Sequence, residues 1–250
     1  MTRTDTRPDH PSATYASGGR GVFDLVLAAF VAVLLISNIG ATKLIQFGPS
    51  VDVLGFPVLP IITDGGAFLF PLAYIIGDVL AEVYGMRRAR RAIITGFVMA
   101  AIMSLTFLAV DAAPPATDWP NQAAWSAVLG FVPRIVLASL VGFLVGQFVN
   151  AWVLTRIKDR FGEQHLWVRL ITSTLVGEFA DTVLFCTIAF GPLGAWLGGG
   201  SIPAPQLINY ILVGWIYKVL VEVLFLPVTY RVVAAVKRRE PDYARADVRP

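Results

Sequence analysis

Away from the outermost residues of the long apolar stretches, and leaving aside Lys43 near the outer end of the first, seven side chains are charged at neutral pH: Asp78, Glu82, Arg134, Glu178, Asp181, Lys218 and Glu222. In hydrocarbon each costs about 2.5–3.5 kcal/mol even on a lenient insertion scale. Such groups are kept where they meet a polar cavity or each other. Their spacing favours a shared site. Tyr74, Asp78 and Glu82 recur at i, i+4, i+8, and Thr174, Glu178, Asp181 and Phe185 at i, i+4, i+7, i+11. Lys218 and Glu222 are i, i+4. Each set lies on one helical face. The same stretches carry the amides Asn38, Gln147 and Asn150. Structural ion pairing is one account of the charges, Lys218 with Glu222 or Asp181 and Arg134 with Glu178. Pairing alone gives no reason for five acids against two deep bases, whereas a proton site or a donor-rich ligand does.

The elements that must position these groups are membrane helices. Of 250 residues, 56% are hydrophobic and 15% charged, against roughly 45–50% and 25% in soluble domains. A helix needs roughly 20 apolar residues to cross, and six stretches qualify. They are Val22–Phe47, Ala67–Tyr84, Ala92–Val110, a span within Trp125–Leu154, Val168–Phe190 and Leu207–Val233. The apolar piece Phe56–Ile62 is too short to cross. A rise of about 1.5 Å per residue puts Asp78, Glu178 and Lys218 roughly 15–16 Å deep, near the middle of a ~30 Å core. The expected fold is an all-α, six-helix membrane bundle. Residues 1–20 read as a disordered cytoplasmic tail, 21–236 as the transmembrane domain and 237–250 as a cytoplasmic C-terminal tail. The first apolar run is too long for a signal-peptide core.

Basic residues set the orientation. Seventeen of the 20 Lys and Arg lie in the N-terminal tail, in the loops after helices two and four (Arg87–Arg91 in the former), and at the C-terminal end. The alternate loops have none, and Lys43, Arg134 and Lys218 lie within spans. Both termini are therefore expected in the cytoplasm. Lys43 reads as snorkelling to the outer headgroups. Trp119, Trp125, Trp152, Trp167 and Trp196 fall near span ends, where Trp is enriched. The net charge of +3 is spread over span ends and suggests no nucleic-acid partner.

An enzyme reading lacks a constellation. His10 and His165 lie in a tail and a loop, no Ser in a span has a His partner, and no metal-ligand spacing occurs. The glycine run Gly198–Gly200 has no following Lys, so it is no phosphate loop. No catalytic residue, metal or cofactor is expected. Ser139, Gly142 and Gly146 form a small-residue ridge, as do Ala28 and Ala32. Such ridges favour close helix packing and permit a homodimer. Gly77-Asp78 with Glu82 is echoed by Gly177-Glu178 with Asp181, a short hint of a 3+3 inverted pseudo-repeat.

Gly66-Ala67-Phe68-Leu69-Phe70-Pro71, followed by Asp78, Glu82, Tyr84-Gly85 and Ala89-Arg90-Arg91, resembles the queuosine precursor transporter family, also called the vitamin uptake transporter family. So do Arg134 with Ala138-Ser139, Gly146-Gln147, Ser173-Thr174-Leu175 through Asp181-Thr182, and Lys218 with Leu226-Pro227. The resemblance runs from Asn38 to about Tyr230. It implies a bacterial inner-membrane importer of 7-cyano- and 7-aminomethyl-7-deazaguanine, working by alternating access. It marks Asp78, Asp181, Arg134 and Lys218 as pattern positions. The substrate-binding set expected from the polar and aromatic residues of the spans together with the resemblance is Asn38, Phe70, Tyr74, Asp78, Glu82, Arg134, Gln147, Glu178, Asp181, Trp215, Lys218 and Glu222. A carboxylate of Asp78, Glu178 or Asp181 would accept the guanine-like N–H donors. Lys218, Arg134, Asn38 or Gln147 would donate to the ring carbonyl. Phe70, Tyr74, Phe185 or Trp215 would stack on the ring. A substrate-binding subunit of an ATPase-driven vitamin importer is the alternative.

Overall fold

The computed structural model describes residues 21–53, 56–161, 166–196 and 200–241. The expected tail at 1–20, positions 242–250 of the other tail, and Gly198 and Gly199 lie outside them. The element order is α1 (Phe23–Gly40), β1 (Leu44–Val53), β2 (Phe56–Asp64), a 3₁₀ turn (Gly65–Leu69), α2 (Phe70–Ala112), α3 (Gln122–Val128), α4 (Val132–Phe161), α5 (Leu166–Ala189), α6 (Pro192–Trp196) and α7 (Ala204–Arg239). Among the described residues, five helices are long and apolar enough to cross a bilayer. Their outer faces carry large apolar side chains such as Leu105, Phe148 and Leu224, each about two-thirds exposed or more. That inverts the rule for water-soluble folds and suits lipid as the surrounding solvent.

The first expected span is too long. α1 stops at Gly40, and Leu44 to Phe47 belong to β1. The reason is a backbone approach: a Cβ on Gly65 would sit 2.5 Å from the Gly40 carbonyl oxygen. The chain there turns into an antiparallel hairpin that pairs Leu44 with Asp64 and Phe47 with Ile61. The register shifts between Phe47 and Val51, around Gly48 with φ +93°, as a bulge requires. The piece judged too short to cross is strand β2, rich in the β-branched residues that strands favour.

The second and third expected spans meet without a loop. α2 has 43 residues, and Arg87–Arg91 are helical. The turn is made by Gly85 alone, at φ 78°, ψ 163°, a region essentially closed to any other residue. Two helical arms, 70–84 and 86–112, meet there. Pro71 opens the first arm, where its missing N–H costs nothing. The fourth expected span, placed within Trp125–Leu154, falls mostly on α4, with the short α3 before it. α7 runs on to Arg239 with Lys237, Arg238 and Arg239 in its last turn, where they complement the helix dipole.

The ridge on α4 is used inside the chain. A Cβ at Gly142 would lie 2.6 Å from Asp181 Oδ1, and one at Gly146 would lie 2.9 Å from the Gly177 carbonyl. α4 and α5 therefore pack backbone to backbone, and this ridge is not free for a homodimer. Ala28 and Ala32 remain exposed. The buried apolar residues form two main clusters. One holds Val33, Ile76, Val79, Leu80, Val83, Tyr84, Ala89, Ala92 and Val233. The other gathers Ala41, Ile62, Ile135, Cys186, Phe190, Leu207 and Tyr210 around the hairpin base. A smaller one joins Ala100, Val132 and Val136.

Candidate substrate site

Between the two main clusters lies a cavity of about 590 Å³. Leu80 and Ala89 of the first cluster and Ala41, Cys186 and Tyr210 of the second form part of its wall. Nine of the expected site residues line it: Asn38, Phe70, Tyr74, Asp78, Gln147, Glu178, Asp181, Lys218 and Glu222. Phe185 does too.

Lys218 is its electrostatic centre. Its ammonium donates to Asp181 Oδ2 and stands 3.5 Å from Glu178 Oε2. The Tyr74 hydroxyl donates to Glu178 Oε1 at 3.5 Å. The Phe70 ring lies beneath the ammonium, 5.5 Å from nitrogen to centroid, a cation–π distance. Phe70 also meets Tyr74 and Tyr217 at 5.2 and 6.3 Å between centroids. Local folding fixes these groups. Thr182 bonds back to the Glu178 carbonyl at 2.8 Å. The Tyr217 hydroxyl donates to the Ala67 carbonyl at 3.0 Å. On α1, the Asn38 amide donates to Leu34 O at 3.0 Å while its Oδ1 accepts from Ser139 at 3.2 Å.

Three expected site residues lie off the cavity wall. Glu82, one turn beyond Asp78, pairs with Lys237 at 2.7 Å near the end of α7. Arg134 is buried, but its guanidinium donates to the Ile188 and Gly200 carbonyls at 3.0 and 2.9 Å and covers the Phe131 ring. It pins the chain around α6 and does not pair with Glu178. The Trp215 indole donates to Leu175 O at 3.1 Å and packs edge-on against Phe179.

Other groups line the wall without having been expected there. Asp64 accepts from the Gly66 amide at 2.7 Å and from the Tyr210 hydroxyl. With it the wall carries five acids, Asp64, Asp78, Glu178, Asp181 and Glu222, against Lys218 as the only Lys or Arg among the described residues. The acidic surplus remains, with Asp64 in place of Glu82 and without Arg134. Tyr210, Tyr217, Thr182 and Asn150 join it.

Residues 64–232 match the family model described as "Putative vitamin uptake transporter". The chain belongs to this family. It is 30% identical over 184 residues to the "Probable queuosine precursor transporter" of Bacillus subtilis strain 168, covering 72% of this chain and 74% of the relative. It is 28% identical over 175 residues to the "Queuosine precursor transporter" of Escherichia coli K12, covering 70% and 72%. No solved structure matches. The family match begins at Asp64 and takes in most of the cavity wall; the α1 contribution, Asn38 included, lies outside it. This transporter's overlooked wall residues had signals. Asp64 stands just before a helical turn, where a cap is favoured. Tyr210, Gly214 and Lys218 repeat at i, i+4, i+8, and Asn150 follows Gly146 by four.

Proposed function

We propose that the protein imports queuosine precursors, 7-cyano-7-deazaguanine and 7-aminomethyl-7-deazaguanine, across a bacterial inner membrane by alternating access around this cavity. The observation that carries the reading is the wall itself: an aromatic-rich chamber with one ammonium and five carboxylates. A deazaguanine presents a flat ring, a carbonyl acceptor and adjacent N–H donors. Lys218 suits the carbonyl, Glu178 and Asp181 the donors, and Phe70, Tyr74 or Phe185 the ring face. Of the three remaining acids, Asp64 is held by Gly66 and Tyr210, and Asp78 and Glu222 favour the cationic aminomethyl form. Counting the two arms of α2 separately makes six crossings, and the basic end segments then set both termini in the cytoplasm.

Uptake of labelled precursor into cells lacking their own synthesis tests the reading. Expression of this protein should restore uptake, and Asp78→Asn, Asp181→Asn and Lys218→Ala combined should abolish it. Undiminished uptake in the triple variant would sink the site assignment. Uptake that persists in vesicles free of ATP excludes dependence on a partner ATPase.

A further inference from the structure

Among the described residues, two buried side-chain oxygens accept no hydrogen bond, Glu178 Oε2 and Asn150 Oδ1, and both residues line the cavity. The two residues stand on stretches of α4 and α5 whose backbones pack closely. A Cβ at Gly177, the residue before Glu178, would lie 2.8 Å from Asn150 Cβ. A second wall asparagine, Asn38, has its oxygen satisfied by Ser139. Glu178 has one oxygen engaged by Tyr74 and the other facing only the Lys218 ammonium at 3.5 Å. A buried acceptor without a donor is destabilising, and a ligand that supplies the donor removes that cost. Asn150 Oδ1 has no donor and Glu178 Oε2 has a single long ion-pair contact, so each has room for an N–H from a solute in the cavity.

We propose that Asn150 is a specificity-determining residue of the cavity, accepting one N–H of an aminopyrimidinone edge while Glu178 Oε2 accepts the next. This rests on the deazaguanine reading and adds to it the reason the exocyclic amino group is required. A ligand without that group leaves one acceptor buried and unpaired. Sites built to bond a polar group reject analogues lacking it far more strongly than apolar pockets reject a missing methylene.

The test is competition against uptake of labelled 7-cyano-7-deazaguanine in reconstituted vesicles, with guanine and hypoxanthine as competitors. Hypoxanthine keeps the ring N–H and carbonyl but lacks the exocyclic amine. The unaltered protein should prefer guanine by about 100-fold or more. Asn150→Leu, similar in shape but without the acceptor, should raise KM about tenfold at unchanged kcat and reduce the preference to below about tenfold. Asn150→Asp, which keeps an acceptor, should retain the preference. If the leucine variant does not accumulate in the membrane, Asn150→Ala is read the same way. An unchanged KM and preference without the amide overturns the inference while leaving the deazaguanine reading standing. No uptake of the labelled precursor by the unaltered protein overturns both.

Discussion

The two ends of α7 are tied down by the same device in different settings. At the hairpin end the Asp64 carboxylate accepts from the Gly66 amide and the Tyr210 hydroxyl. At the other end the Glu240 carboxylate accepts from the Val22 amide at 2.9 Å and the Tyr84 hydroxyl at 2.6 Å. Each latch ties α7 to the α1–α2 part of the chain. The hairpin end has further support in the Ile62 amide bonding Asn209 Oδ1 at 3.3 Å and the Ser37 hydroxyl bonding Gly66 O at 3.2 Å. The opposite end adds the edge-on Phe23–Tyr84 pair and the Glu82–Lys237 bridge. The difference lies in reach. Asp64 and Tyr210 belong to the cavity wall, whereas Tyr84 and Glu240 do not. A bound solute can touch one latch directly. The other it can influence only at a distance, along the first arm of α2 or along α7, whose interior Pro227 lies between Lys218 and Glu240 and removes a helical hydrogen bond there.

The largest expected effect comes from removing each carboxylate in turn. Asp64→Ala leaves a buried tyrosine hydroxyl and a backbone amide unpaired, and should cost about 2–3 kcal/mol and abolish uptake. Glu240→Ala strands the equivalent pair and should lower stability by a similar about 2–3 kcal/mol, yet leave measurable uptake because its latch is off the wall. Thermal unfolding in detergent, read beside uptake per folded molecule, separates the two. Equal loss of uptake at both ends would break the distinction between a latch the solute touches and one it does not.

Gly85→Ala sharpens the comparison at the end away from the hairpin. The backbone there is one only glycine holds without strain, and distorting it costs about 1–3 kcal/mol. The distortion falls on the residue next to Tyr84, so its hydroxyl should leave Glu240. Gly85→Ala should therefore lower the unfolding midpoint more than Tyr84→Phe, which forfeits only an interhelical bond worth about 0.6–1.7 kcal/mol in membranes. The reverse order would mean that the kink is not what positions the latch.

These ends also mark how far the residues alone could lead. Asp78, Glu178, Asp181 and Lys218 were legible as one cluster, because charge in hydrocarbon is costly and helical spacing assigns faces. The structure brings them to one wall. Glu82, Arg134 and Trp215 carry the same marks of polarity and depth, but their partners come from α7, the chain around α6, and α5, which no local period reveals. The hairpin was hidden because Leu44–Phe47 continue the apolar run of α1, and because the α1 stop depends on Gly40 meeting Gly65, a contact made only in the fold. Gly85 replaced an expected loop since a single positive φ leaves no compositional trace.

The smallest effect belongs to the Glu82–Lys237 bridge. Glu82 is 62% exposed at its side chain and Lys237 32%, and ion pairs so placed contribute about 0–1 kcal/mol. Glu82→Gln should shift the unfolding midpoint little, and the shift should vanish in high salt as screening removes the attraction. Uptake should stay within about twofold of the unaltered protein, since a change of that size in free energy is under about 0.5 kcal/mol. Asp78→Asn, one turn deeper on the same face, should cut uptake by far more at a comparable change in formal charge. If the two substitutions reduced uptake alike, Glu82 would have to be assigned to the site in spite of its place off the wall, and the end near Glu240 would join the hairpin end in meeting the solute.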